Sequence, residues 1–250
     1  SVKTQLAPLE YVKILVRLSN VYSYFLISAY DIAKAPDGDG GTIQNYINNA
    51  TSNGTKVLMD SGNYESYWKF SNWEQGEFHS ILTQTSCSMA FCYDNQAPPQ
   101  DICKHKKLIL SSWEKDKKHS NGNILIPIIH GLKESIPELC LYIAEETQSP
   151  IVAVPERRLG DGMIERAQTV AQIRAALNKS GKHIKLHLLG TGNPISIAVY
   201  SIMGADSFDG LEWCQTVVDP ETAFLFHFSQ ADLFWDKGSY GNEELPFILK

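Results

Sequence analysis

The stretch HLLGTGNPISIAVYSIMGADSFDG, residues 187–210, decides how the chain is read. It begins inside an apolar run, Ile184-Lys185-Leu186-His187-Leu188-Leu189, that stops at Gly190-Thr191-Gly192-Asn193-Pro194, the pattern of a buried strand ending in a turn. Pro194 suits the first position of a helix. Ile195, Ile197, Ala198, Ser201 and Ile202 follow at helical spacing, and Gly204 stands where that helix would end. A short strand over 205–208 then carries Asp206 and Asp209 to its C-terminal end. In barrels of alternating strands and helices that end collects the catalytic groups, because the loops there converge on one pocket. Asp209 is the first candidate for chemistry.

Working outward, apolar or β-branched runs at 11–18, 21–29, 56–59, 86–93, 124–129 and 151–154 predict six more strands ahead of 184–189 and 205–208. Helical spacing or helix punctuation marks 42–50, 101–116, 133–147 and 163–180, the last with Ile164, Ala167, Val170, Ile173, Ala176 and Leu177 on its buried side. Residues 36–41, PDGDGG, are expected to be a flexible loop. Eight short strands with helices between most of them predict an α/β chain of the (β/α)8 TIM barrel type. It is expected as one domain over 1–250, with an aromatic-rich tail from about 211 (Trp213, Phe224, Phe226, Phe228, Phe234, Trp235) packed on the barrel.

The composition fits this reading. At 250 residues, 43% hydrophobic and 20% charged, the chain is long enough for one barrel or two small domains. No apolar run is long enough to cross a membrane, and residues 1–20 lack the basic-then-apolar layout of a secretory signal. Five scattered cysteines, an odd number, predict reduced thiols and a cytoplasmic protein. A net charge of −6 gives no global signal for nucleic acid, so any such contact must come from a local patch. Lys104-His105-Lys106-Lys107 and Lys115, Lys117, Lys118 and His119 are two such clusters, with a solvated helix face as the plain alternative.

At the expected C-terminal strand ends stand Asp60, Asp94, His130, Glu156 with Arg157, Gly190 and Asp209. Loops are generally polar, so each alone is weak, but together they describe a pocket. Two carboxylates in one pocket support displacement at a sugar carbon, one attacking the anomeric carbon while the other manages protons. Tyr64 offers an aromatic face for a ring substrate, or simply packs on the barrel rim.

Three blocks then resemble one family. Asp60-Ser61-Gly62-Asn63-Tyr64 resembles the Asp-Ser-Gly-Gly-Phe motif of tRNA-guanine transglycosylases. Residues 188–194, LLGTGNP, resemble their Leu-Met-Gly-Val-Gly-x-Pro, and Asp206-Ser207-Phe208-Asp209 resembles their Asp-x-Phe-Asp. Order and spacing agree over roughly residues 20 to 212. The resemblance implies a (β/α)8 barrel that replaces guanine in a nucleic acid with a 7-deazaguanine through a covalent intermediate, with no cofactor. Asp209 would be the nucleophile at C1′, and Asp60 the general acid and base at the departing and incoming heterocycle. Asp94 would accept hydrogen bonds from the base edge, Ser61 would add a polar contact, Tyr64 would stack on the base, and His130, Gly131 and Gly190 would complete the base pocket. The target nucleotide must leave its stack, so a positive rim is expected, and Lys104, Lys106, Lys107, Arg157 and Arg158 are its candidates.

The chain departs from the family where His130-Gly131-Leu132 replaces Gln-Gly-Gly and Val154-Pro155-Glu156 replaces a Gly-Gly pair. The Cys-x-Cys-x-x-Cys run with a later His that forms the family's structural zinc subdomain is missing, and Cys214 with His227 cannot close a tetrahedral site. Leu211-Glu212-Trp213-Cys214-Gln215-Thr216 replaces the Pro-Thr-Arg segment. These losses bring the chain closer to the divergent branch that inserts 7-deazaguanines into DNA, with a base such as 7-cyano-7-deazaguanine as the small substrate. A partner protein of a DNA-modification system is a further expectation. Two other readings stay open: a non-catalytic transglycosylase-like subunit that binds DNA or tRNA, and a nucleoside or N-glycoside hydrolase.

Overall fold

The computed structural model describes residues 8–19, 21–64 and 72–210, together with the backbone of 216–218 and 225–227. The first element differs from expectation. Residues 11–18, expected as a strand, lie in helix α1 (Pro8–Leu18). Valine and isoleucine favour a strand locally, but Leu9, Val12 and Val16 recur at helical spacing, and they join one core with Val12 fully buried. Pro8 suits the first helical turn, and Glu10 pairs with Lys13 one turn later at 2.6 Å.

Seven parallel strands follow among the described residues: β1 (Tyr24–Ser28), β2 (Lys56–Asp60), β3 (Met89–Phe91), β4 (Ile124–Ile126), β5 (Ile151–Pro155), β6 (Lys185–Leu189) and β7 (Ser207–Phe208). Between them run α2 (Ala29–Ala33), α3 (Asp39–Ser52), α4 (Gln75–Gln84), α5 (Ile102–Lys117), α6 (Ile136–Thr147), α7 (Gly162–Leu177) and α8 (Pro194–Met203). Residues 36–41, expected as a loop, form a 3-10 turn and the start of α3. A short antiparallel pair, β8 (Thr216–Val218) and β9 (Leu225–His227), is the described part of the expected tail. The rest of that tail, with Trp213, Cys214, Phe224, Phe228, Phe234 and Trp235, lies outside the described residues.

The strands follow one another in chain order, β1-β2-β3-β4 and β5-β6-β7. The two sets are joined at a single parallel bridge, Ile128 to Ala153. Pro127 explains the seam, because proline has no N–H to give to the ladder, so β4 stops at Ile126 and pairing resumes one residue past the proline.

Successive strand residues face opposite ways, and here the two faces have different neighbours. Val57 and Met59, Ala90 and Cys92, Val152 and Val154, Leu186 and Leu188 face the helices. The alternate residues Leu26, Leu58, Met89, Phe91, Ile126, Ile128, Ile151, Ala153 and Leu189 form a third apolar cluster built from six strands and no helix. In a flat sheet β3 and β6 would stand about 14 Å apart, three spacings of roughly 4.8 Å. Phe91 and His187 nevertheless meet with ring centroids 5.0 Å apart, so the sheet curls around its strand-lined face.

The helices show where sequence spacing misleads. In α7, Ala167, Val170, Ile173, Ala176 and Leu177 are buried as expected, whereas Ile164 is 77% exposed. In α8, Ile195 and Ile202 face outward, and Tyr200 is the fully buried residue. The start of α8 follows expectation, with Pro194 in the first turn and the Asn193 side chain accepting from the backbone N–H groups of Ile195 and Ser196. No described helix is long and apolar enough to cross a membrane.

Candidate functional site

Asp60 ends β2, and by strand alternation it falls on the same curled face as Leu58. The turn after it is built against the start of α2. Gly62 has φ of +79°, and a Cβ there would lie 2.4 Å from Tyr30 Cβ, so only glycine fits. The Trp73 indole N–H donates to the Ser61 carbonyl at 2.9 Å, and the Trp73 ring meets Tyr30 edge-on at 5.5 Å. Ser61, expected to touch a base, is almost wholly buried in this turn.

Asp94, just beyond β3, is the centre of a closed network. His130 Nε2 lies 2.5 Å from its Oδ2, and Gln96 Nε2 donates to the same oxygen at 2.5 Å. The Asn63 amide donates to the Asp94 carbonyl at 2.6 Å and, more weakly, to Oδ1 at 3.4 Å, linking the β2 and β3 ends. Both partners of the Asp94–His130 pair are nearly inaccessible, with side chains 5% and 2% exposed. From Gln96 the network continues to two cations: Arg157 donates to its side-chain oxygen at 2.5 Å and Arg158 to its carbonyl at 2.9 Å. The Arg157 guanidinium also lies over the Tyr64 ring, 4.7 Å from its centroid. Tyr64, Asp94, His130, Arg157 and Arg158, scattered over almost a hundred positions, thus form one connected group.

Beside this group lies a cavity of about 690 Å³, lined among others by Asp94, His130, Gln96, Asn63, His105 and Ser112. Neither Asp60 nor Asp209 belongs to its lining. Burial, and next the nearby His130, hold the His105 imidazole below its ordinary pKa. Gly131 takes φ of +137° between Ser135, Leu139 and His105. Burial, reinforced by Asp116 and Asp94, raises the Cys92 thiol well above its usual range, and burial alone raises Cys87 to about 12. Neither behaves as a thiolate nucleophile.

Asp209 follows β7 and is held differently. Its Oδ1 accepts from the Gly190 backbone N–H at 2.9 Å and lies 3.4 Å from His187 Nε2, while Oδ2 has no hydrogen-bond partner among the described residues. Its side chain is 30% exposed. Gly190 adopts φ of +77°, which turns its N–H toward the carboxylate. It therefore holds the carboxylate of the expected nucleophile in place. A few residues on, Gly192 and Gly210 meet backbone to backbone, and a Cβ on Gly210 would lie 2.6 Å from Gly192 Cα. This contact locks the loop after β6 onto the loop after β7.

Two strand-end acids have structural roles. Asp206 precedes β7, so it sits at the opposite end from the one expected, where it binds Arg174 at 2.5 Å, His183 at 3.0 Å and the Leu186 N–H at 2.8 Å. Glu156 turns to the helix layer, pairing with Arg166 at 3.0 Å and accepting from the Tyr200 hydroxyl at 2.9 Å. The basic cluster divides as well. Lys104 and Lys107 are exposed on α5. Lys106 pairs with Glu138 at 2.6 Å and covers the Tyr142 ring at 4.4 Å.

His187, Gln96 and Asn63 are site residues that sequence reasoning did not assign. His187 left a signal, being the one neutral polar residue in the strand KLHLL, on the strand-lined face. Gln96 and Asn63 left none, since their roles depend on loops meeting in space. No protein-family model matches the chain, and no curated protein sequence matches it significantly.

Proposed function

We propose that the chain is a (β/α)8-type transglycosylase, a pentosyltransferase of the cytoplasm that replaces guanine in DNA with a 7-deazaguanine base through a covalent link between Asp209 and C1′. The observation that carries the reading is the state of Asp209. One carboxylate oxygen is anchored by the Gly190 N–H and the other is open, on a side chain that solvent reaches at a C-terminal strand end. A nucleophile needs this arrangement: fixed in aim and free at the attacking atom. The curled sheet with helices on its other face supports the barrel reading.

In the first step Asp209 Oδ2 bonds to C1′ as the C1′–N9 bond breaks and its electron pair leaves with guanine, to which Asp60 gives a proton. In the second, Asp60 takes the N9 proton of the incoming base, N9 attacks C1′, and the C1′–O bond returns its pair to Asp209. Asp94 and His130 read the base edge once Gln96 yields its place, and Tyr64 stacks on the base once Arg157 moves off its ring. A phosphate is a natural new partner for Arg157, so backbone binding and pocket opening are coupled. Lys104, Lys107 and Arg158 extend the same rim.

The test is incubation with DNA and with tRNA in parallel, each with labelled 7-cyano- or 7-aminomethyl-7-deazaguanine. DNA is expected to take up label, and Asp209→Asn to abolish both uptake and covalent trapping while the protein stays folded. Uptake by Asp209→Asn at the normal rate would overturn the assignment. Guanine release without uptake would identify a hydrolase, and binding with neither a non-catalytic subunit.

A further inference from the structure

We propose that His187 is the positioning residue of Asp209, and that with Ser207 it forms a two-link relay fixing which carboxylate oxygen attacks and stabilising that carboxylate as it leaves. The proposal rests on the transglycosylase reading for the identity of the electrophile, but its geometry stands apart from it. His187 lies in β6 between Leu186 and Leu188, which are fully buried against the helices, so alternation turns the imidazole to the strand-lined face. It is 3% exposed, and the Phe91 ring at 5.0 Å packs against it and limits its rotation.

Both ring nitrogens meet side chains delivered by β7, whose register sets Ser207 opposite His187. Nδ1 lies 2.9 Å from Ser207 Oγ and Nε2 lies 3.4 Å from Asp209 Oδ1. An ionised carboxylate only accepts hydrogen bonds, so Nε2 carries the hydrogen. In the neutral ring Nδ1 is then the acceptor, and the Ser207 hydroxyl donates to it.

Oδ1 thus receives two N–H donors, from Gly190 and from His187. The chemical consequence is asymmetric. Oδ2 is left as the atom that bonds to C1′, and in the resulting ester Oδ1 is the carbonyl oxygen. When the incoming N9 displaces the ester, the pair from the C1′–Oδ2 bond returns to the carboxylate, and the two N–H groups receive the charge that reappears there. Loss of His187 therefore weighs most on the second step.

Three variants test this. His187→Leu keeps the bulk and removes both nitrogens; turnover is expected to fall on the order of 100-fold, with KM for the nucleic acid falling alongside it because kcat/KM reports the first step, while covalent intermediate accumulates. His187→Gln places an amide nitrogen near the Nε2 position and is expected to recover most of the loss. Ser207→Ala is expected to slow turnover roughly two- to tenfold. Thermal melts of all three establish that they fold. In parallel, 15N spectra of the histidine-labelled wild-type protein are expected to show His187 protonated at Nε2 and unprotonated at Nδ1. Wild-type turnover in His187→Leu, or a Gln variant no better than Leu, would overturn the proposal, as would a spectrum with the proton on Nδ1 alone. If the wild type neither traps nor exchanges a base, the transglycosylase reading fails while the spectra still decide the relay.

Discussion

Asp94 and Asp209 are both carboxylates at the ends of parallel strands, and the protein treats them in opposite ways. Asp94 is shut in, with one oxygen shared by His130 and Gln96 and its side chain 5% exposed. Asp209 is anchored through one oxygen only and is 30% exposed. A buried carboxylate depends on its partners, because a lone one would carry a desolvation cost of several kcal/mol. A half-exposed one can be left partly unsatisfied, since water supplies what the protein does not. The first design suits recognition and rigidity, the second reaction.

The contrast can be broken by mutation, beginning with its stiffer half. His130→Ala strips the buried Asp94 of its closest partner and is expected to lower unfolding free energy by about 3 kcal/mol, read by chemical denaturation. Gly190→Ala forces a side chain into φ of +77° with open space around it, so backbone strain alone is expected to cost about 1 kcal/mol. The same variant tilts the N–H away from Asp209 and should reduce covalent trapping. Asp209→Asn is expected to change stability by less than about 1 kcal/mol while abolishing trapping. If it destabilised the protein as much as His130→Ala does, the distinction between a held and a reacting carboxylate would be lost.

The smallest expected effect is in pH. His105 lines the Asp94 cavity, and its folded-state pKa is depressed by burial and then by His130. The unfolded chain therefore binds the proton more readily. The contribution of His105 to stability is present above its ordinary value of about 6.5 and is lost as pH falls through the depressed folded value. His105→Gln should flatten this acid limb in melts recorded across pH 7 to 5, and an unchanged slope would remove His105 from the account.

Most of the strand order was legible because apolar runs bounded by Gly, Pro and Asn mark buried strands strongly, as at 151–154 and 184–189. Residues 11–18 were misread because a short run of Val, Ile and Leu fits either period, and only the helix-spaced contacts of Leu9, Val12 and Val16 decide between them. The position of Asp209 just after a strand was legible because glycine-rich punctuation marks the strand limits there. Asp206 and Glu156 have the same sequence context and serve as ion-pair partners of Arg174 and Arg166. The end and the face on which a strand-end acid falls depend on strand limits known to one residue. Gln96 and Lys106 were beyond reach for another reason: their partners, Arg157 and Glu138, come from distant elements.

The missing N–H of Pro127 reaches further than the strand that holds it. Between the fourth and fifth strands the ladder consists of two amide links, Ile129 N–H to Ala153 O and Ala153 N–H to Pro127 O, where β1 and β2 align along five residues. Asp94 and His130 lie on one side of this thin join, Asp209 and His187 on the other. Amide exchange at Ile129 and Ala153 should outpace that at Met59, and any flexing of the molecule concentrated there would adjust the span between the enclosed acid and the open one.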